Sequence, residues 1–481
     1  MTKEVLLFLA VFVPTLGAFV LPALGKMSLK LRNTAAFGMV ATSLVCSLAL
    51  IPSALTAETA TIRLNLPLGF NFVLQADGLA VFMAIVSSLI SSIILLYSTS
   101  YISHYQYQDE YYLMVVLFLG AMMGLVFSAN LILLYVFWEI TAIASWRLIG
   151  FFREKSHVVR ADKAFLITAF GALAMLLGFV SIYAQTGSFD LATIKSALKD
   201  NPLSDMAVLL ILLGIFSKSA TLPFHTWLPD AGVAPSPVTA LLHAAVLVKI
   251  GVYVFARLFV ATFTFGEHWH TAVMAVAAAS ALVSAGAALV DTDIKRIIAY
   301  STVSQIAFIF LGLAVAGSEM ALVGAMLYIL MHGLAKGGLF LCAGIVEQKT
   351  HIKDIRQLGG LMRTMPLTAL SFLFCAFSVM GVPPLGGFFS KYMVMGGAAA
   401  GAPLWVVFTF LGGAVLTIMY LFRLFIAVFL GQARSSAREG SPIMVACVML
   451  LAAMSLAAGI FINQPARMAQ MTVQQMLGIV K

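Results

Sequence analysis

Ionisable side chains stand inside stretches of this sequence that are otherwise apolar. Glu139 lies in LYVFWEITAI, and four further stretches carry lysines and histidines: Lys218, His243, Lys249, His332, Lys336 and Lys391. A charge at the centre of a membrane costs roughly 2.5 to 3.5 kcal/mol on insertion scales, so such residues face a protein interior or water and mark ion pathways. Amines and imidazoles exchange protons, and the pattern therefore predicts a proton relay.

Glu139 is the only acidic residue deep within a predicted span, and Lys218 is its predicted partner. A nearby positive charge keeps a buried carboxylate ionised, and the carboxylate favours the protonated lysine in return. The pair would then act as a switch on the Lys218 proton. The alternative is a structural hydrogen bond from Glu139 to a neighbouring helix.

Two histidine–lysine pairs differ in spacing. His332 and Lys336 are four positions apart and share a helix face, which suits a relay. His243 and Lys249 are six apart, which places them on different faces of a regular helix, so that helix must be enclosed on more than one side. Lys391 would be the last titratable site before the outside.

The composition indicates whether the segments that carry these residues lie in water or in a membrane. Of 481 residues, 62% are hydrophobic and only 10% are charged, far from the usage of soluble proteins. In a bilayer only helices or closed barrels satisfy every backbone group, and the apolar runs have the length of helices. We therefore predict an all-α polytopic membrane protein without strands.

Apolar runs separated by polar, glycine and proline residues predict about fourteen spans, centred near residues 14, 43, 90, 120, 140, 174, 214, 249, 280, 306, 333, 381, 416 and 452. Proline removes a backbone donor, so TLPFHTWLPD after Lys218 and GVPPLGGFF before Lys391 should interrupt spans seven and twelve. Matching breaks predict two inverted repeats of five helices. The resulting units are an N-terminal three-helix segment at 1–110, repeats at 111–260 and 271–431, and a last span with a tail at 442–481.

Basic residues in the loops predict the orientation. Most lie on the side reached after the first span, which is therefore predicted to be cytoplasmic, with both termini outside. The outer side has only six: Lys3, Arg63, Lys195, Lys199, Arg467 and Lys481. Arg147, Arg257 and Arg423 lie near span ends, where we expect them to reach the membrane interface.

Several classes of function are not expected. The single cysteines Cys46, Cys342, Cys375 and Cys447 read as core residues, since no CxxC or haem motif joins them. His225 with Asp230 and His268 with His270 lack further ligands at metal spacing. We therefore expect no metal, no cofactor and no nucleic-acid partner.

Seven stretches together resemble a known family: DGLA at 77–80, FWEI at 137–140, SKSATLPFHTWLPDA at 217–231, PSPVTALLHAA at 235–245, DIKRIIAYSTVSQ at 293–305, HGLAKGGLFL at 332–341 and GVPPLGGFFSK at 381–391. They are similar to the antiporter-like subunits of respiratory complex I, of energy-converting hydrogenases and of multi-subunit cation/proton antiporters.

The resemblance implies a role for each matching position. Glu139 looks like the fifth-helix glutamate, Lys218 its paired lysine, Lys249 with His243 the eighth-helix link, His332 with Lys336 the eleventh-helix relay, and Lys391 the twelfth-helix terminal site. Arg147 stands where the family usually has an apolar residue. Lys391 matches the most distal complex I subunit, but the long lateral helix of that subunit does not follow the last span here, so a hydrogenase-type complex fits at least as well.

The favoured interpretation is a proton-translocating subunit of a redox-driven inner-membrane complex of bacterial or archaeal type, with no redox centre of its own and with other membrane subunits and, indirectly, hydrophilic redox subunits as partners. One alternative is a subunit of a Na⁺/H⁺ secondary antiporter. The other is a structural anchor that conducts nothing. The sequence leaves open whether the ion is H⁺ or Na⁺.

Overall fold

A computed structural model describes residues 1–66, 71–199, 202–263, 266–315 and 317–479. The chain is helical almost throughout, as predicted. Lys481, counted above among the outer basic residues, lies outside the described residues.

The N-terminal part contains six helices and a hairpin: α1 Lys3–Gly17, α2 Leu21–Met27, α3 Leu29–Ala49, α4 Ile51–Leu55, β1 Ala60–Asn65, β2 Asn71–Ala76, α5 Gly78–Tyr101 and α6 Gln108–Phe127. The strands pair antiparallel from Ala60 opposite Ala76 to Asn65 opposite Asn71. The prediction of no strands was therefore wrong. TIRLN and NFVLQ lie between two spans rather than within one, where alternating polar and β-branched or aromatic residues suit a small ribbon.

The middle of the chain contains seven helices: α7 Leu131–Ile149, α8 Lys155–Thr186, α9 Leu191–Ala197, α10 Asp205–Lys218, α11 Trp227–Asp230, α12 Ser236–Ala240 and α13 Leu247–Phe255. Two π-helical segments flank α13, at Leu241–Ala245 and at Ala256–Val260.

The C-terminal part contains eight helices: α14 Glu267–Val290, α15 Ile294–Ala314, α16 Glu319–Thr350, α17 Pro366–Met380, α18 Gly386–Gly401, α19 Leu404–Phe429, α20 Pro442–Ile460 and α21 Asn463–Met476.

Within the described residues, twelve helical segments are long and apolar enough to cross a membrane. The two further predicted spans are the interrupted ones. The first ends as α10 at Lys218, and the second consists of α17 and α18 on either side of residues 381–385. Helix-breaking prolines therefore act where the sequence predicted. The boundaries of the four units and the repeat relationship remain predictions.

The helices form shells around α13, α15 and α16. Every residue from 231 to 256 is buried, so the segment that contains His243 and Lys249 is enclosed on all sides, as predicted. The outer helices expose apolar side chains instead, such as Leu166 (65%) and Leu173 (60%) on α8 and Phe408 (68%) on α19. Apolar surface of this extent suits lipid or a neighbouring subunit.

The four cysteines are buried and unpaired, which confirms that they are core residues: Cys46, Cys342, Cys375 and Cys447.

Close packing of α1 on α6 generates a prediction about stability. A Cβ added at Gly120 would lie 2.6 Å from the backbone nitrogen of Thr15 and 2.8 Å from its Cα, whereas one at Gly38 would meet nothing within 4 Å. Gly120→Ala should therefore force the two helices apart and cost about 1 to 3 kcal/mol. We expect a lower thermal midpoint for this variant in detergent, and an unchanged or higher midpoint for the control Gly38→Ala. Equal midpoints for both variants would contradict the close approach.

Candidate functional site

The six predicted lysines and histidines lie together in the protein interior. The side chains of five are completely buried and Lys391 is 7% exposed: Lys218, His243, Lys249, His332, Lys336 and Lys391. They come from α10, the first π segment, α13, α16 and α18, and together they are called the column. All members except Lys218 lie within electrostatic range of His332.

Lys218 is the last residue of α10, where the seventh span breaks. The freed carbonyl of Ser217 accepts a hydrogen bond from Trp227 Nε1 at 3.0 Å. Lys218 Nζ donates to the carbonyl oxygen of Trp138 at 3.1 Å and lies 5.1 Å from the centre of the Trp138 ring. The break therefore leaves the ammonium group against α7, one residue from Glu139.

Glu139 is half-buried and shares a helix face with Val136 and Ile143, which are 47% and 49% exposed. It acts on the Lys218 ammonium electrostatically. The direct contact of Lys218 is nevertheless the Trp138 carbonyl, so Trp138 connects the two predicted partners. Glu139 thus lies between the interior column and the lateral surface of the protein.

The eighth span departs from the regular helix that the sequence analysis assumed. His243 lies in the π segment Leu241–Ala245, and Val246 then leaves helical geometry with φ −128° and ψ −73°. Lys249 Nζ folds back and donates to the carbonyl oxygen of Ala244. The assumed rotation of 100° per residue was therefore wrong for this segment, although the segment is enclosed as predicted.

His332 and Lys336 lie on α16, which is continuous through both. The Lys336 ammonium donates to the carbonyl oxygen of Ile298 at 3.1 Å and to Ser301 Oγ at 2.5 Å. His332 is within electrostatic range of both Lys249 and Lys391. It is therefore the central member of the column.

Neither ring nitrogen of His243 or His332 has a hydrogen-bond partner within the described part of the chain. His243 packs against Phe340, with ring centroids 4.4 Å apart. Buried polar atoms are nearly always hydrogen-bonded, and water is the available partner for ring nitrogens in such a site.

A hydroxyl and amide network continues from Lys336 toward Lys391. Tyr420 OH donates to Ser301 Oγ at 2.7 Å, and Gln305 Nε2 lies 3.4 Å from Tyr420 OH. Tyr328 OH donates to Gln305 Oε1 at 2.5 Å, and the Tyr328 ring centre is 5.6 Å from Lys391 Nζ. Sequence reasoning missed these side chains. The polar run AYSTVSQ in an apolar span indicated Ser301 and Gln305, but no pattern indicated Tyr328 or Tyr420.

Lys391 reaches back across the break in the twelfth span. Its Nζ donates to the carbonyl oxygen of Val379 at 2.7 Å, in the last turn of α17, and lies 4.6 Å from the centre of the Phe308 ring. Gly381 ends α17 with φ +83°, a conformation that side chains with a Cβ rarely adopt. The break therefore supplies the acceptor that holds the ammonium group.

The three arginines near span ends have specific partners. Arg147 pairs with Glu110, which also accepts from Arg153 at 2.5 Å, and Arg423 donates to the carbonyl oxygen of Asp291. Arg257 pairs with Asp77, with its side chain only 11% exposed. Sequence reasoning missed the Asp77 partnership, because the two residues are 180 positions apart.

Chemically, the column offers amines and imidazoles with neutral acceptors. Each such group can bind or release one proton. The arrangement suits stepwise proton transfer, and it offers no carboxylate cluster that would bind a hard cation through oxygen.

Comparison with known families identifies the chain. Residues 128–417 match the family profile described as NADH:quinone oxidoreductase/Mrp antiporter, TM, and residues 65–112 match the N-terminus of chain 5 of NADH-ubiquinone oxidoreductase (complex I).

Curated relatives are subunit A1 of the Na⁺/H⁺ antiporters of Staphylococcus aureus and Staphylococcus haemolyticus. Each is 33% identical over 490 aligned residues, which cover 95% of this chain. The match covers 61% of the relatives' own length, so this chain spans about three fifths of them.

Solved structures share the fold. The Mrp complex of Dietzia sp. has a chain with TM-score 0.91 at 22% identity, covering 99% of this chain and 98% of that one. A chain of the archaeal membrane-bound sulfane sulfur reductase has TM-score 0.91 at 24% identity, with 98% of both chains covered. A chain of Thermus thermophilus respiratory complex I has TM-score 0.87 at 22% identity, covering 99% and 100%. The chain therefore belongs to the family of antiporter-like membrane subunits that NADH:quinone oxidoreductases and Mrp antiporters share.

Proposed function

We propose that this protein is the proton-translocating membrane subunit of a hetero-oligomeric complex. One observation carries the proposal: four buried lysines, Lys218, Lys249, Lys336 and Lys391, each donate to a neutral backbone carbonyl. An anchor without a transport role would have no use for four such groups, because apolar packing is cheaper than a buried charge.

The chemistry of the column favours H⁺ as the ion that moves along it. Lysine and histidine nitrogens bind protons, whereas Na⁺, like other hard cations, takes oxygen ligands. Four of the six residues also lie in or beside segments that break or bulge, where carbonyls are free of helical hydrogen bonds: Lys218, His243, Lys249 and Lys391. A Na⁺ path, if the complex has one, would then use other surfaces or other subunits.

Glu139 is the proposed point of control. Glu139 lies on a lateral face between exposed apolar residues. A neighbouring membrane subunit that covers this face would bury the Glu139 carboxylate and place charges of that subunit beside it. Movement of such a charge would change the electrostatic field at Lys218 and hence the affinity of Lys218 for its proton. The solved structures that share the fold all belong to multi-subunit membrane complexes, which supports this partnership.

Two energy sources suit this subunit. The sequence interpretation favours a redox-driven complex with hydrophilic electron-transfer subunits. The 33% identity to antiporter subunit A1 over 95% of the chain favours a Na⁺ gradient instead. In proteoliposomes of the purified complex, proton movement that follows an imposed Na⁺ gradient without an electron donor would support the second source. Movement only during electron transfer would support the first.

The proposed location is the cytoplasmic membrane of a bacterium or archaeon, with both termini outside. Basic loop residues support it: Lys163, Arg296, Lys295, Lys353 and Arg356 all take part in ion pairs on the side away from the termini. Such a concentration of lysine and arginine is typical of the cytoplasmic face.

Glu139→Gln tests the control point. Glutamine keeps the shape and hydrogen bonding of the side chain but cannot act on Lys218 with a charge. We expect the assembled complex to lose at least about tenfold in coupled proton transport, which corresponds to roughly 1.4 kcal/mol of lost coupling. The control Glu154→Gln, at a side chain that is 67% exposed, should transport normally. Undiminished proton uptake by the Glu139 variant in proteoliposomes would remove this residue from the mechanism.

Lys391→Arg tests whether the terminal site exchanges its proton. Arginine keeps the positive charge but is not deprotonated in proteins. We therefore expect Lys391→Arg to block transport nearly as fully as Lys391→Ala at equal assembly, while the exposed control Lys349→Arg remains active. If the arginine variant transports like the wild type, Lys391 is a fixed charge and the terminal site lies elsewhere.

A further inference from the structure

A cavity of about 310 Å³ lies on the side of the protein that carries both termini. Its lining includes Gln75 from β2, Asp77 just after it, Lys195 from α9, and Thr472 and Gln475 from the C-terminal helix. Polar and charged side chains thus share the lining with apolar ones such as Leu79 and Leu191. None of the column residues from Lys218 to Lys391 lines it, so the cavity is separate from the path described above.

Asp77 and Arg257 form part of the cavity wall. Arg257 Nη2 donates to Asp77 Oδ1 at 2.7 Å, and Nη1 donates to the second carboxylate oxygen. Asp77 also accepts from the backbone of Ala80 at 2.9 Å as the N-cap of α5. The two side chains are 20% and 11% exposed, so one side of the pair meets the cavity and the other meets the protein interior.

The interior side leads to Lys249. Arg257 Nε donates to Tyr253 OH at 2.9 Å, and Tyr253 OH donates to the carbonyl oxygen of Val126 at 2.5 Å. Lys249, Tyr253 and Arg257 follow each other at intervals of four, so they occupy one stripe along α13 and the start of the second π segment. The stripe is about 12 Å long at 1.5 Å per residue. It runs from the position of Lys249, whose ammonium group turns toward the Ala244 carbonyl, to the cavity wall.

We propose that this stripe is a second outlet of the proton path, from Lys249 to the cavity, and that the Asp77–Arg257 pair keeps it closed. The proposal rests on the proposed proton transport. Arg257 cannot give up a proton, so it is a fixed positive barrier between Lys249 and the cavity. When the pair separates, a proton that leaves the Lys249 ammonium passes by water along Tyr253 to the Asp77 carboxylate. Asp77 then releases it to water in the cavity, and Lys249 remains as a neutral amine.

Arg257→Gln tests the closure through a passive leak. The variant complex, reconstituted in vesicles with an imposed pH gradient and no driving ion or electron donor, should lose the gradient on the order of tenfold faster than the wild type, because one unit charge about 12 Å away has an effect of that size in partly buried surroundings. Adding Lys249→Met to this variant should abolish the extra leak, since the outlet begins at Lys249. If Arg257 only stabilised the fold, the leak of the Arg257→Gln variant would not depend on Lys249.

The matched control is Arg63→Gln, which breaks another arginine–aspartate pair on the same side, with Asp190 at 2.7 Å. Its leak should equal that of the wild type. Arg257→Lys is the second variant, for the case in which Arg257→Gln does not assemble, because lysine keeps the positive charge that pairs with Asp77. Lysine can release a proton, so we expect vesicles with this variant to leak as well.

The proposed outlet is overturned if both Arg257 variants assemble and leak at the wild-type rate. It is also overturned if the leak persists after Lys249→Met is added, or if neither Arg257 variant assembles. These results leave the main proposal intact if the wild-type complex transports protons when driven. Absence of driven transport in the wild type would instead contradict the proposed function, whatever the leak.

Discussion

The hydrogen bond from a buried lysine ammonium to a backbone carbonyl is the interaction on which this structure depends. A bilayer provides no water to solvate such a group, so the protein must provide the acceptor. A regular helix uses its carbonyls internally, and it frees them where it ends or changes pitch. Lys249 and Lys391 take such acceptors, at Ala244 and at Val379. The same helix breaks that interrupt the spans therefore make the lysines tolerable.

A lysine that is bound to a neutral carbonyl differs from a cation that is paired with a carboxylate. Lys295 pairs with Glu347, and Arg257 pairs with Asp77, so each of these two cations has an opposite charge in direct contact. The lysines of the column are held in position without a counter-charge in contact. Their charge is consequently sensitive to more distant groups, which is the property that a relay needs. In the proposed mechanism the ion pairs hold the structure together, while the carbonyl-bound lysines exchange protons.

The groups around the column differ in whether they could pass on a proton. The ring nitrogens of His243 and His332 have no protein partners in the described part of the chain. Gln305, by contrast, lies between Tyr328 and Tyr420 with both ends of its amide in use. An amide neither gains nor loses a proton readily, so in the proposed mechanism this network positions Lys336 without carrying protons to Lys391. The route proposed between these two lysines therefore passes through the histidines and not through the hydroxyl network.

The sequence by itself determined the solvent, the fold class, the two broken spans and the identity of the buried ionisable residues. These depend on local composition: the length of apolar runs, the missing donor of proline, and the cost of a charge in hydrocarbon. Only the tertiary structure decided what each group contacts. The π segment at His243, the Trp138 carbonyl that separates Glu139 from Lys218, and the pairing of Asp77 with Arg257 all arise from helices distant in sequence or from a change of helical pitch. Spacing along the chain specifies which residues share a face of a regular helix. It does not specify where packing changes the pitch of that helix, or which distant residue contacts it there.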